Sequence, residues 1–201
     1  MDSKIAIKQL NFLKKSGNKM RLAADEWPTK FQTLISIILS ARTRDETTIK
    51  VCTNLFSKYP TAKKLSTLSL DEVKKPIYSV NFYNNKAKSI LACSKELAKR
   101  KKFPETFDEL VKLPGVGRKT ANVFLAEYGN DEIGVDTHVT YISNYLGWAN
   151  SRKQEIIEKQ LKKLFPKKYY KEINWILVQF GKTHTSKKQK NEILDEIKKI
   201  D

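Results

Sequence analysis

LPGVGRKTAN, Leu113 to Asn122, decides how the rest of the chain is read. Two glycines stand one residue apart behind a proline, and Arg118-Lys119-Thr120 then opens a run with helical spacing. Tight backbone beside a lysine fits three devices: a phosphate-binding nucleotide loop, a grip on a nucleic-acid backbone, or an ordinary turn with a surface lysine. A nucleotide loop needs G-x-x-x-x-G-K-[ST] after a buried strand. Here Arg118 sits where the last glycine belongs, the glycines are too close together, and nothing before Leu113 reads as a strand.

A backbone grip fits better. Thr106 and Glu109 have capping-box spacing, so Thr106 to Leu110 reads as a short helix ahead of the glycines. Gly117 to Tyr128 reads as a second helix, ended by Gly129-Asn130. The unit is helix, tight hairpin, helix. Gly115 and Gly117 can take positive φ and let another molecule come close. Successive N–H groups ahead of a helix N-terminus suit one phosphate. Val116 should pack the hairpin onto its helices. Such a contact fixes register and carries no sequence information. A lone P-G-x-G turn is weak support; the charge of the chain and the residues that follow add to it.

Lys and Arg number 39 against 22 Asp and Glu, a net charge of +17, and the basic residues run along the whole 201-residue chain. A folded chain this basic commonly meets a polyanion, most often nucleic acid; the alternative is a proteome rich in lysine. The hydrophobic share of 40% fits a soluble globular protein, and no apolar run nears the ~18 residues of a membrane span. MDSKIAIKQL has no basic, apolar, small-residue succession, so a cytoplasmic, nucleoid-associated place with no membrane contact is expected. Cys52 and Cys93 lie far apart in apolar helical contexts and read as reduced core residues.

Helical periodicity recurs almost throughout, and no segment reads convincingly as a strand. Phe31 to Ser40 is dense enough to be buried. Asp45, Thr61, Ser69 and Asp136 are expected caps of helices ending near Tyr59, Ser66, Ile77 and Leu146. Asn84 to Arg100, Ser151 to Phe165, Lys167 to Phe180 and Lys187 to Ile200 complete about ten helices in short-loop succession. The fold class is therefore all-α.

Asp136 bears on Lys119. The helix 117–128 is roughly 17 Å long, and the link from Gly129 to Asp136 can extend to roughly 23 Å. The chain can thus return along the helix and bring the aspartate beside the lysine. A lysine amine attacks electrophilic carbon only when neutral. The positive helix end and Arg118 disfavour its ammonium form, whereas Asp136 favours it. The carboxylate must then do more: accept a proton, or stabilise positive charge developing on a deoxyribose C1′ that is losing its base, as at other glycosidic carbons. Taken singly, Asp136 is also a plain helix cap and Lys119 a surface lysine.

LPGVGRKTANV followed at this distance by VDTHV resembles the endonuclease III branch of the helix-hairpin-helix DNA glycosylases. The resemblance runs over most of the chain. ILSARTRDETT (Ile38 to Thr48) and VNFYNNKAKSI (Val80 to Ile90) are similar to that branch's early helix end and its second insertion loop. It implies two helical domains. A six-helix, barrel-like domain covers 23–130, with its helix-hairpin-helix near 106–128, and 1–22 plus 131–201 form the second. Double-stranded DNA with damaged bases or abasic sites would lie over the cleft between them, with the damaged nucleotide flipped in; a monomer is expected.

By the same resemblance, Lys119 is the nucleophile at C1′, forms a Schiff base with the opened sugar and allows β-elimination, and Asp136 is its carboxylate partner. Leu113, Gly115, Val116 and Gly117 form the phosphate-binding hairpin, which in the family can also hold a monovalent cation; Arg118 and Thr120 are expected to join the DNA contact. Arg42 stands where the family fills the gap left by the flipped base, and Phe82 where it wedges the opposite strand. His138 lines the cleft in the family; it is otherwise a helix residue one layer behind it.

The chain departs from that pattern at the C-terminus. Most relatives follow a Gly-basic step with four cysteines that hold a [4Fe–4S] cluster. Here Phe180-Gly181-Lys182 precedes Thr-His-Thr, Thr185 takes the first cluster position, and no cysteine follows Cys93. Four thiolates are needed, so no cluster and no other cofactor is expected. Ile193, Leu194 and Ile197 should let Lys187 to Ile200 pack as a helix there. The leading expectation is a bifunctional glycosylase and lyase for oxidised pyrimidines. Its alternatives are a mismatch glycosylase for T or U opposite G, and a non-catalytic DNA-binding module.

Overall fold

A computed structural model of the chain describes all 201 residues, which form twelve α-helices, one 3-10 turn and no strand. The chain divides into two compact units, residues 21–125 and residues 1–20 with 126–201.

The first unit carries α2 (Lys30–Ser40), α3 (Asp45–Lys58), α4 (Ala62–Ser66), α5 (Leu70–Ile77), α6 (Tyr83–Ala98), α7 (Phe107–Leu110) and the start of α8 (Arg118–Glu127). Its helix starts are set by local chemistry. The side chains of Thr29, Thr61, Ser69 and Thr106 each accept from the N–H three residues on. Ser69 and Thr106 complete capping boxes, because Glu72 and Glu109 reach back to the cap N–H groups. The expected cap at Asp45 is corrected. Asp45 is the first residue of α3, and Arg44 holds the cap position without a side-chain bond. An acid in the first turn suits the positive helix end from inside the helix, so the residue type marked the terminus but not the cap itself.

α2 is buried from Phe31 to Leu39, apolar on almost every side, as a helix enclosed by neighbours must be. α6 packs against α2, α4 and α5. Trp27 meets Phe56 edge-on at 5.1 Å between ring centroids, and Phe103 stacks on Phe124 at 5.5 Å. Cys52 and Cys93 both lie in this core, where burial pushes each thiol up to about 12 and suppresses its reactivity.

The second unit holds α1 (Ser3–Ser16), α9 (Thr137–Tyr145), α10 (Gln154–Leu164), α11 (Tyr170–Thr183) and α12 (Lys187–Lys198). α1 is missing from the sequence-based helices. Its buried Ala6, Leu10 and Leu13 have helical spacing, but they are few among lysines, and the helix is held by packing on α11 and α12. α10 starts at Gln154 and not at Ser151. Asn144 exchanges two hydrogen bonds with the backbone of Ser151, 2.9 and 3.0 Å, which holds that residue in a turn ahead of the helix. The helix expected over 167–180 divides into a 3-10 turn at Lys167–Tyr169 and α11.

α12 is bound into this unit by its apolar face and by polar side chains. Leu194 and Ile197 are fully buried, the Tyr141 hydroxyl donates to Asn191, and the Tyr145 hydroxyl donates to Asp195 at 2.8 Å. Gln9 donates to the Ile197 carbonyl at 3.2 Å and accepts from the Trp148 indole at 2.7 Å, so this buried amide is satisfied on both sides. No helix is long and apolar enough to cross a membrane.

Candidate functional site

Within the first unit, α7 and α8 flank the hairpin. The Val116 N–H donates to the Leu113 carbonyl at 3.1 Å, and Gly115 lies at φ +80°. Proline fixes a negative φ before it, so Leu113 to Val116 is a type II turn with the residues that turn prefers. Leu113 and Val116 are buried beneath it, as the packing argument requires.

The two glycines differ. Only Gly115 takes positive φ, and a Cβ there would lie 2.6 Å from the Ser89 Cβ on α6. Gly117 has no positive φ, and a Cβ there would meet nothing within 4 Å. The expectation of positive φ at both glycines is corrected at Gly117. It stands just before α8, and its carbonyl accepts the helix's Ala121 N–H at 3.0 Å. Arg118 stacks over the Phe107 ring at 4.7 Å and so bridges α7 and α8, while Thr120 is half-buried. Lys119 is exposed in the first turn of α8.

In the second unit, Asp136 is the N-cap of α9, and its carboxylate accepts from the Val139 N–H at 2.9 Å. It is only 9% exposed. His138, two residues on, lies against Gly181 of α11. A Cβ at Gly181 would stand 2.1 Å from His138 Nδ1, so the missing side chain makes the room for the imidazole. Gly181 thus makes the room for His138, although the sequence marked it only as part of a Gly-basic step.

Arg42 and Phe82 are brought together, the guanidinium lying 4.9 Å over the ring. Both residues are exposed, Phe82 by 54%, and both have positive φ, +55° and +59°. The Thr43 N–H donates to the Ser40 carbonyl at 2.9 Å, and Ala41 has φ −53° and ψ 116°. Ser40 to Thr43 is therefore also a type II turn, with Arg42 in the position that favours glycine. Asn81 joins the two loops: its side chain donates to the Arg42 carbonyl and its N–H to Thr43 Oγ1 at 3.2 Å.

Lys86 stands beneath these loops. It is 8% exposed, and its ammonium donates to the carbonyls of Leu39 and Ala41, at 2.7 and 2.5 Å, and to Thr43 Oγ1 at 3.1 Å. Burial pushes its pKa down to about 8. Tyr78, 73% exposed, precedes the same loop. Sequence reading passed over Lys86, Asn81 and Tyr78, although all three lie in or beside VNFYNNKAKSI.

No group of three or more His, Cys, Asp or Glu side chains stands close enough to hold a metal ion. Chemically, one unit offers a turn with open main chain and a lysine at a helix start, plus a raised cation and aromatic pair. The other offers a carboxylate fixed by its own helix.

Residues 35–167 match the model of the HhH-GPD superfamily of base excision DNA repair proteins. An endonuclease III of Thermotoga maritima is 41% identical over 155 residues, covering 76% of this chain and 73% of that protein. An endonuclease III of Bacillus subtilis is 36% identical over 187 residues, covering 89% and 84%. Among solved structures, a trapped endonuclease III–DNA covalent intermediate is similar with a TM-score of 0.83 and 32% identity, covering 92% of this chain and 89% of that one.

Proposed function

The chain belongs to the HhH-GPD superfamily of base excision DNA repair proteins, and from that premise we propose that it is a DNA glycosylase with lyase activity at abasic sites, of the endonuclease III type. The observation that carries this reading is Lys119: an exposed lysine in the first turn of α8, two residues after a glycine that the fold itself does not require. A glycine whose Cβ would meet nothing of its own chain is explained by something else coming close. A phosphate held at the turn N–H groups meets that need.

The chemistry runs on double-stranded DNA with the damaged nucleotide out of the stack. The neutral Lys119 Nζ attacks C1′, and the bond from C1′ to the base breaks as the base leaves with its electron pair. Opening of the sugar ring gives a Schiff base. Loss of a C2′ proton then expels the 3′ phosphate, and water releases the lysine. Asp136 accepts a proton or stabilises the positive charge at C1′; its bond to Val139 supports this role by holding the carboxylate in one orientation. Leu113, Gly115, Val116, Gly117, Arg118 and Thr120 make up the backbone grip. Arg42 fills the gap left by the flipped base, Phe82 wedges the opposite strand, and His138 borders the reacting nucleotide. The preferred lesions are oxidised pyrimidines, and the protein works on chromosomal DNA in the cytoplasm. The separate hydrophobic clusters over 31–125 and over 6–13 with 133–197 support two domains divided near residues 22 and 130.

The residues do not fit a [4Fe–4S] cluster. Four thiolates are needed, the chain has two cysteines, and both lie in the core of residues 21–125. No step therefore runs through a cluster. A monovalent cation at the turn would find only main-chain oxygens over 113–117, and no step depends on one.

The experiment is borohydride reduction with abasic duplex DNA. A covalent adduct is expected, and it disappears with Lys119→Ala. Tight binding without any adduct would leave a base-removing enzyme or a plain DNA binder. Asp136→Asn should slow base removal while abasic-site binding persists; unchanged activity removes the role given to Asp136. A panel of lesion and mismatch duplexes separates oxidised pyrimidines from T or U opposite G.

A further inference from the structure

Three elements of the first unit converge on α6. Phe82 is its N-cap, in left-handed backbone. One turn on, Lys86 reaches the C-terminal end of α2 and the turn that carries Arg42. Ser89, near the next turn, is where the hairpin's Gly115 is seated: only a residue without Cβ fits against it. Phe82 and Ser89 are ~10 Å apart along the helix axis.

The lysine holds an unusual post. A buried ammonium is costly unless its donors are used, and here two carbonyls and one hydroxyl take them. Both carbonyls belong to the negative end of α2, where helix polarity favours a cation. Thr43 Oγ1 then accepts again, from the Asn81 N–H, so the contact continues into the loop that carries Phe82. Arg42 and Phe82 occupy backbone that L-residues adopt only when their surroundings over-determine it. Lys86, Thr43 and Asn81 are those surroundings.

We propose that α6 is the common mount for the three DNA-contacting elements, and that Lys86 is the positioning residue that sets the Arg42 turn in register with Phe82. This rests on the reading of Arg42 and Phe82 as the residues that enter the duplex. Lys86 touches no DNA. It acts by presenting the two side chains as one preformed unit, so that recognition of an extruded nucleotide does not have to order two loops first.

The test uses the full-length protein and duplexes with a tetrahydrofuran abasic analogue, with 2-aminopurine in the opposite strand to report unstacking. Lys86→Met keeps the buried stem and removes the charged head. It is expected to lower the affinity ratio of abasic over undamaged duplex by about tenfold or more, the worth of one or two charge-assisted hydrogen bonds. Affinity for undamaged duplex should stay within about twofold, and the fluorescence rise should shrink. In a Phe82→Ala background Lys86→Met should add little, because the two act as one unit; general loosening of the fold would add in full.

If Phe82→Ala lowers the ratio and Lys86→Met does not, the inference is overturned while the reading of the loops stands. If Arg42→Ala and Phe82→Ala change nothing, that reading fails and takes the inference with it. Should Lys86→Met not fold, Thr43→Val decides: it breaks the lysine's link to the Asn81 loop, and an unchanged ratio overturns the proposal.

Discussion

Two turns of one type divide the labour of this protein's first unit. Leu113 to Val116 has Pro114 and Gly115 in the middle, the residues a type II turn prefers. Ser40 to Thr43 has Ala41 and Arg42 in the same places, with Arg42 at φ +55°. The first turn offers bare backbone and is unstrained. The second presents a long cationic side chain, and the structure around it holds the strain through Lys86 and Asn81. Where the chain has backbone to show it uses glycine; where it has a side chain to show, it keeps the same geometry against the residue's own preference.

The largest expected effect tests the unstrained turn. Gly115→Ala places a β-carbon into left-handed backbone, costing roughly 1–2 kcal/mol. Overlap with Ser89 adds about 1–3 kcal/mol. Urea unfolding should show this loss, and binding to every duplex should weaken with it. An unchanged midpoint would mean that the turn is not held as described.

Gly117→Ala sharpens the comparison from two residues away. Its Cβ meets nothing of the chain, so the unfolding midpoint should hold. DNA affinity should fall by about tenfold as the phosphate is pushed off, with a shallower dependence of log K on log salt. Retained affinity would break the claim that this glycine serves a partner.

Arg42→Gly puts the favoured residue into the strained turn. Relief of strain and the flexibility of glycine oppose each other, so folded stability should change by less than about 1 kcal/mol. Discrimination between abasic and intact duplex should drop all the same. A stability loss as large as that of Gly115→Ala would erase the distinction between the two turns.

The smallest effect is one of pH. Burial holds Lys86 at about 8 in the folded protein against an ordinary 10.5. Between these values the unfolded chain binds more protons at this residue, so its contribution to folded stability rises with pH. Thermal unfolding from pH 7.5 to about 8.5 should show the parent protein gaining, by under about 1 kcal/mol, on Lys86→Met; a constant difference would mean that the lysine is not desolvated.

Much of this was legible from sequence because it depends on neighbours a few residues apart. Thr61, Ser69, Thr106 and Asp136 cap the helices expected of them, since cap bonds span three residues. Gly129, at φ +78°, follows α8 where a terminating glycine belongs. Asp45 and Ser151 mark the limit of such reading: both residue types favour helix starts, yet one lies inside α3 and the other is held by Asn144. For the candidate site, the hairpin, Lys119 and Asp136 could be picked out because their residue types and spacing are local and specific.

Local pattern thus determined the helical class and most helix ends, and it singled out the candidate residues. What tertiary structure alone decided were matters of long-range contact. Lys86 meets carbonyls 45 and 47 residues away. Gly115 is needed because Ser89 is where it is, and Gly181 because His138 is. α12 is held by Tyr141, Tyr145 and Gln9 from distant stretches of chain. A lysine that caps another helix and one that faces solvent look alike in sequence, because the difference lies in the acceptors that folding brings to the ammonium.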